Sequence, residues 1–208
     1  VGMGAFQASQ RVTEDLVLER NRDRTELLAN QLSAELEAYV QPLSFLASSG
    51  THRSLYELQV LLDREWPGGD LSAFDGGVLV LDGEGTVAAA VPDWAHMFGE
   101  SFPQFVTQES VTVGERLLLT DILFDEVAGM DVIALPQPLL GAAGETSGTV
   151  VGLFHAERGA TRTSIFYRRI WDLYIGRRET AYVVDGNGSG VFHPDTFLIG
   201  EDVSHLEA

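Results

Sequence analysis

The stretch "AYVVDGNGSGVFHPDTFLIGEDV", residues 181–203, repeats features of an earlier stretch, "GVLVLDGEGTVAAAVPDWAHMFGESF", residues 77–102. In both, two apolar runs flank a D-G-x-G turn, a pattern that predicts a β-hairpin. Asp82 and Asp185 are 103 positions apart, and the Gly-Glu pair after each hairpin recurs after 101 positions. The two spacings indicate one module that occurs twice, the second time only as its opening part. A chance likeness between two hairpins is the alternative, because D-G-x-G is a common turn.

The composition excludes several classes of function. The chain has 208 residues, of which 45% are hydrophobic, and its 31 acidic and 13 basic residues give a net charge of −18. Such a charge repels phosphate backbones, so we expect no nucleic-acid partner. The absence of cysteine excludes disulfides and thiolate metal sites, and we expect no cofactor. No apolar run reaches the roughly 18 residues that a membrane span needs, so any membrane anchors are expected to flank this chain.

A long helix is predicted at the amino terminus. Residues 7–48 contain no glycine and a single proline, Pro42. Apolar residues recur every three or four positions, which places them on one side of a helix: Leu28, Leu32, Leu36, Tyr39, Leu43 and Leu46. We expect the charged amino-terminal half to project as a stalk. Two shorter helices, with a break between residues 10 and 25, are the alternative.

The remaining elements predict an α+β fold. A second helix, 52–66, stops at the Pro-Gly-Gly sequence that follows it. Five strand candidates then alternate with turn signals, and together they favour an antiparallel sheet with helices on one face: 77–81, 86–91, 116–124, 130–140 and 148–156. A helix is also expected between the second and third strands, and a connecting helix over 161–176 leads to the second hairpin.

Three regions are therefore expected. The first is a stalk helix over residues 1–50, and the second is a five-stranded α+β module over 51–157. The third, 158–208, holds the connecting helix and the opening hairpin of a second module.

Taken in order, these features resemble the double Cache family, the PAS-like extracellular sensor domains of bacterial receptors. The resemblance is carried by the long helix, by the hairpin "LVLDGEGTVAAA" and by "LLTDILFDEVAGMDVIALPQPLLGAAGETSGTVVGLF" with its turn, proline and closing strand. It is also carried by "YVVDGNGSGVFHPDTFLIGEDVS", in which His-Pro is followed by Gly-Glu-Asp. The similarity spans nearly the whole chain.

The resemblance implies an extracytoplasmic sensor held between two transmembrane helices that this chain does not include. The first module would bind a small molecule, and the long helix would pair with its twin in a homodimer and pass the signal to the membrane. We expect a histidine kinase as output; a chemoreceptor or a cyclic-dinucleotide enzyme is the alternative. No catalytic motif is present in the sequence, so we expect no enzyme in this chain. A dimerisation module without a ligand is the second hypothesis.

The segment after the first hairpin supplies three candidate ligand contacts. Trp94, His96 and Phe105 could close over a ligand by stacking or hydrogen bonding. In the alternative, Trp94 and Phe105 belong to the core and His96 is exposed.

Four more candidates lie in or near the third strand. Asp121 is an acid within an apolar strand and needs a polar partner if it is buried; otherwise it faces solvent. Phe124 and Asp125 lie where amino-acid-binding members of the family carry an acidic contact, although Asp125 also suits a turn. Arg116 is the nearest basic residue, or a solvent-facing strand start. The Arg-x-Trp pair with which those members hold a carboxylate is missing between residues 92 and 110, which argues against an amino-acid ligand held in that way.

Two motifs in the second copy are interpreted as structural. The sequence His193-Pro194-Asp195 has no second histidine at a metal-ligand spacing, so we interpret it as a turn. The sequence "DGNGSG" has Thr196 where a calcium loop needs a glutamate, so we reject an EF-hand.

Overall fold

One uninterrupted helix forms the amino-terminal part of the protein. The computed structural model describes residues 2–50, 55–66, 68–92, 97–106, 123–125, 130–141, 145–156, 165–174, 182–184 and 188–205. Helix α1, Gly2–Gly50, has 49 residues and passes through Pro42 without a break, so it is about 70 Å long. The single long helix is confirmed, and the alternative of two shorter helices is wrong.

The apolar side of α1 packs on the sheet, as the leucine spacing predicts. Leu36, Tyr39, Leu43 and Leu46 are buried, and Leu32 is half-buried against the same core. The stripe ends at Ala47, which is also buried. Because this helix buries a full stripe, tertiary packing rather than intrinsic helix propensity stabilises its carboxyl-terminal half.

Helix α2, Leu55–Glu65, follows and lies along the outer strand of the sheet. The Gln59 side chain donates from Nε2 to the Ala90 carbonyl and accepts from the Ala90 N–H, both at 2.9 Å. The amide therefore makes the two hydrogen bonds that another strand would make with that edge. Leu58 and Leu62, on the same helix, are buried in the core. A short 3-10 helix, Asp70–Ala73, leads into the sheet.

The sheet has five antiparallel strands in the order β2-β1-β5-β4-β3. Its strands are β1 Gly77–Asp82, β2 Val87–Val91, β3 Leu123–Asp125, β4 Met130–Leu140 and β5 Thr146–His155. The five-stranded antiparallel sheet is confirmed, although only three residues of the predicted third strand are described.

Strand β4 contains two prolines, Pro136 and Pro138, which are paired on the inner side with Val151 and Thr149 of β5. Among the described residues, β3 pairs with β4 over 130–132. Proline lacks an N–H and is therefore tolerated in a strand where no neighbour needs that donor.

An aromatic cluster fills the core between α1 and the sheet. Phe74, at the end of the 3-10 helix, lies 5.0 Å from the ring of Phe154 on β5, and Tyr39 of α1 lies 5.1 Å from the same ring. Phe166 stacks on Phe154 at 4.7 Å from the other side. Gly152 makes room for Phe74, because a Cβ at this position would overlap the phenylalanine ring.

The connecting helix α3, Ile165–Tyr174, joins this core to the second hairpin. Tyr167 donates its hydroxyl to the Val191 carbonyl at 2.7 Å, and Trp171 contacts Phe192 edge-on at 6.0 Å. Strands β6, Val183–Val184, and β7, Gly190–Phe192, form that hairpin.

The two copies of the repeat make the same hydrogen bonds. In the first copy Val87 N donates to Glu100 O, and in the second Gly190 N donates to Glu201 O, both at 2.9 Å. The other equivalent pairs follow: Gly99 N to Val87 O with Gly200 N to Gly190 O, and Phe102 N to Gly85 O with Val203 N to Gly188 O. These pairs keep the spacings of 103 and 101 positions found in the sequence. A chance likeness between two turns would not give each hairpin the same three backbone hydrogen bonds to the segment that follows it.

Glycine has the same conformational role in both copies. Gly85 and Gly188 have φ values of 85° and 88°, and Gly99 and Gly200 have 85° and 77°. Other residues enter this left-handed region only at a cost. The glycines therefore fix the turn that brings the later segment back to the hairpin. The three regions expected from the sequence (1–50, 51–157 and 158–208) stay a prediction.

Candidate functional site

The two faces of the sheet are covered by different parts of the chain. The helix face, which carries Val78, Val80, Ile133, Val150 and Phe154, packs against α1, α2 and α3. Alternate residues of the same strands point to the opposite face. We call this opposite face the second face, and its buried residues form a separate cluster: Leu79, Leu81, Val87, Ala90, Met97, Phe105, Val132, Ala134, Val151 and Leu153.

The described cover of the second face comes from the segment between β2 and β3. Met97 and Phe105 are buried in its cluster, and Phe102 packs beside them. The Phe102 and Phe105 rings stack at 5.8 Å, and a short 3-10 helix, Pro103–Phe105, carries the latter. Among the described residues of this cover, the 3-10 helix is the regular element that contacts the second face.

Among the described residues, one buried polar side chain lies on the second face. Thr149 of β5 pairs with Leu81 of β1 and Pro138 of β4, and it alternates with Val150 of the helix face. Its side chain is fully buried, and its Oγ1 has no hydrogen-bond partner. An unpaired buried hydroxyl costs about 1 to 3 kcal/mol. Native proteins rarely retain such a group without a reason.

Four predicted contacts lie outside the described residues: Trp94, His96, Arg116 and Asp121. Their roles stay predictions. Phe105 is described and is buried in the second-face cluster. It therefore lies on the face where a ligand is expected, as one of the core residues of that face. The backbones of Phe124 and Asp125 belong to β3 and pair with Asp131 and Met130. Asp125 is therefore a strand residue, and its role as a contact stays a prediction.

Thr149 is not among the contacts predicted from the sequence, although a signal is present. It is the only polar residue in the run "TVVGLF", 149–154, and, like Asp121, it needs a polar partner when it is buried in an apolar strand. The signal was weak because threonine is common in strands. Only the pairing register of β5 with β1 and β4 shows that the Thr149 hydroxyl faces apolar neighbours.

On the helix side, an open cleft of about 630 Å³ lies between α1, the 3-10 helix and α3. It is lined by Glu35, Ala38, Tyr39, Gln41, Pro42, Phe45, Asp70, Ala73 and Arg169. Burial raises the pKa of Tyr39 above 10.0, and the nearby Arg169 opposes the rise only in part. The tyrosine is therefore neutral at pH 7. The cleft is wide and exposed, with Phe45 66% accessible, which suits a surface contact better than an enclosed ligand.

The second copy carries a structural turn where the sequence has His193. Its imidazole is buried, and Nδ1 accepts from the Asp195 N–H at 2.9 Å. The interpretation of this motif as a turn is confirmed. Across the described part of the chain, no group of three or more acidic or histidine side chains could hold a metal ion. No described helix is long and apolar enough to span a bilayer.

Comparison with solved structures identifies the fold. The ligand-binding domain of the Pseudomonas fluorescens chemoreceptor CtaA, in complex with L-leucine, superposes with a TM-score of 0.64 at 17% identity, covering 94% of this chain and 78% of that domain. The ligand-binding domain of the Pseudomonas aeruginosa PAO1 amino acid chemoreceptor PctC, in complex with GABA, gives 0.54 at 18% identity, over 85% of this chain and 77% of that one. An extracellular ligand binding receptor from Desulfohalobium retbaense gives 0.58 at 17% identity, over 85% of this chain.

The chain thus has the fold of the Cache-type ligand-binding domains of extracellular receptors, as the sequence resemblance implied. It spans about a third of the Desulfohalobium chain, 32% of its length. No model of a known protein family matches the sequence, and no curated protein sequence matches it significantly.

Proposed function

We propose that this chain is the extracytoplasmic sensing part of a membrane receptor and that it binds a small organic molecule on the second face of the sheet. The observation that carries the proposal is the shared fold: similar domains include a chemoreceptor domain in complex with L-serine. The second face supports it, because it has a buried apolar floor, a cover without a long helix among the described residues, and one unpaired hydroxyl. The proposed role is binding, without catalysis.

The output of the receptor is a finer proposal. The sequence resemblance favoured a histidine kinase. Several of the structurally similar domains belong to chemoreceptors, and this favours a chemotaxis output as the alternative. Both receptor types place the sensor outside the membrane, so the proposed location is the same for both.

A thermal-shift screen of this chain tests the proposal. The compounds are amino acids, organic acids, amines and sugars, each at millimolar concentration. A compound at 100 times its dissociation constant stabilises the folded state by about 2.7 kcal/mol, which is a shift of several degrees for a chain of this size. We expect at least one of these four classes of compound to raise the melting temperature by this amount. A protein that is folded by circular dichroism and shifts with no compound would contradict the proposal.

The second candidate function is dimerisation without a ligand, and the surface of α1 favours it. Leu27 and Phe45 are 52% and 66% exposed. They are 18 positions apart, which is five turns, so they lie on the same side of the helix. Exposed Ala34 and Ala38 lie between them on that side. An uncharged strip of this kind can pack against a second copy.

Sedimentation velocity distinguishes the two candidates when it is combined with the screen. If α1 pairs with its twin, Phe45→Ser lowers the dimer fraction while the melting temperature of the monomer is unchanged. Tyr56→Ser is the matched control, since Tyr56 on α2 is 78% exposed and lies on another helix. Loss of the dimer in both variants, or in neither, would contradict pairing through α1. If the protein forms a dimer and no compound raises its melting temperature, the second candidate function is favoured over the first.

A further inference from the structure

We propose that the Thr149 hydroxyl is a ligand-binding group and that the part of the ligand above it is an apolar body with one neutral hydrogen-bonding head. This inference rests on the proposed function and specifies the chemistry of the same second face.

Thr149 lies on the central strand of the sheet, β5, between β1 and β4, with Leu81 and Pro138 as its paired neighbours. Two positions along the same face lies Val151, a member of the second-face cluster. A side chain at this position points into the space between the sheet and its cover. Its hydroxyl can both donate and accept a hydrogen bond.

The Thr149 hydroxyl lacks a hydrogen-bond partner. The side chain is fully buried, and Oγ1 makes no hydrogen bond. A nearby hydroxyl on the same strand, that of Ser147, donates to the Leu139 carbonyl at 3.1 Å, so a backbone acceptor satisfies the Ser147 hydroxyl and not that of Thr149. A valine would fill the Thr149 position without the cost of an unpaired polar group. The hydroxyl therefore fits a role that is completed only when a ligand is bound.

The surrounding residues give the class of ligand. Among the described residues, the buried polar side chains are Gln137, Thr149 and His193, so no acidic or basic side chain of these residues is buried on the second face. A fully charged group placed there would lose its hydration without a counter-charge from the described residues, at a large cost in free energy. The net charge of −18 disfavours an anion further. A neutral amide or alcohol on an aliphatic body loses less hydration and can exchange a hydrogen bond with the threonine.

Four probes with one body and different heads test this class by thermal shift and isothermal titration. They share a branched aliphatic chain: isovaleramide is neutral, isovalerate an anion, isoamylamine a cation and L-leucine a zwitterion. We expect isovaleramide to bind the wild-type chain best. A preference for isoamylamine would overturn the neutral class and favour the predicted carboxylates of Asp121 and Asp125. A preference for isovalerate or L-leucine would overturn it as well, while the proposed sensing function would still hold.

Two variants of Thr149 test the residue itself. Thr149→Val keeps the size and removes the hydroxyl, so we expect the ligand-free melting temperature to rise by about 2 to 4 °C and the affinity for isovaleramide to fall about 10-fold. Thr149→Ser keeps the hydroxyl and should retain most of the affinity. Opposite effects on stability and affinity separate a ligand contact from a structural threonine, whose loss would lower stability.

The contradicting results are distinct for the two proposals. Equal isovaleramide affinity in the wild type and Thr149→Val, or a lower ligand-free melting temperature in that variant, would overturn the role of Thr149. A wild-type chain that binds none of the four probes would overturn this inference. The proposed function would fail only if the wider compound screen also gave no shift.

Discussion

The two faces of the sheet have different physical properties, although the same five strands supply both. The helix face is closed by three helices and an aromatic cluster around Phe154, with ring separations of 4.7 to 5.1 Å. The second face is covered, among the described residues, by a short segment with two stacked phenylalanines. It also keeps an unpaired hydroxyl. The comparison supports our proposal that one face supplies stability and that the other binds the ligand.

Removing a ring from each face gives the largest expected effect. Phe154→Ala should cost about 4 kcal/mol of unfolding free energy, because three neighbouring rings cannot all move into the space. Phe105→Ala should cost less, about 3 kcal/mol, since a short covering segment collapses more easily. Urea denaturation at equal protein concentration measures both. Equal losses would contradict the difference between the faces.

The same two variants also show which face holds the ligand once a binding compound is known. The compound should lose affinity for Phe105→Ala and keep its affinity for Phe154→Ala, measured below the melting temperature of each variant. A compound that is affected only by Phe154→Ala would place the ligand on the helix face.

Gly152 tests the close packing of the helix face with a smaller change. A methyl group at this position overlaps the Phe74 ring, which is itself held between Tyr39 and Phe154. Gly152→Ala should therefore cost about 2 kcal/mol, measured by thermal and urea unfolding. Gly83→Ala is the control, because its nearest neighbour, the Ser147 carbonyl oxygen, is 3.6 Å away; it should change stability by less than about 0.5 kcal/mol. If Gly152→Ala left the free energy of unfolding unchanged, the aromatic cluster would have to adjust freely to the added methyl group.

Gln59 gives the smallest expected effect, at the edge where the two faces meet. Gln59→Ala removes two hydrogen bonds to Ala90 and should cost about 1 kcal/mol. Hydrogen exchange of the Ala90 amide should accelerate, because its acceptor is lost. Gln41→Ala, an exposed change on α1, is the control and should leave that exchange rate unchanged. Unchanged exchange in Gln59→Ala would mean that α2 does not protect this edge.

The sequence predicted the parts of the fold that depend on local rules. The D-G-x-G turns need glycine at positive φ, and Asp82 accepts the Glu84 and Thr86 N–H groups at 2.9 Å. Such requirements are visible as residue types at fixed spacings. The stripe of α1 is equally local, because its apolar residues recur with the helical period.

The faces of the sheet could not be assigned from the sequence. Residues 77–81 of β1 are all buried, and so are residues 148–154 of β5, so neither strand alternates between apolar and polar residues. Without that alternation, the pattern does not show which side the helices cover. The importance of Thr149 depends on this assignment and became visible only with the strand register.

The central claim, that a ligand lies on the second face, is tested most directly by intermolecular nuclear Overhauser effects in protein with labelled leucine and valine methyl groups. Strand β1 contains its own control, because Leu79 and Leu81 belong to the second face while Val78 and Val80 belong to the helix face. Whichever of the four branched probes binds should show effects to Leu79 and Leu81 and none to the two valines. Effects to Val78 and Val80 alone would contradict the account.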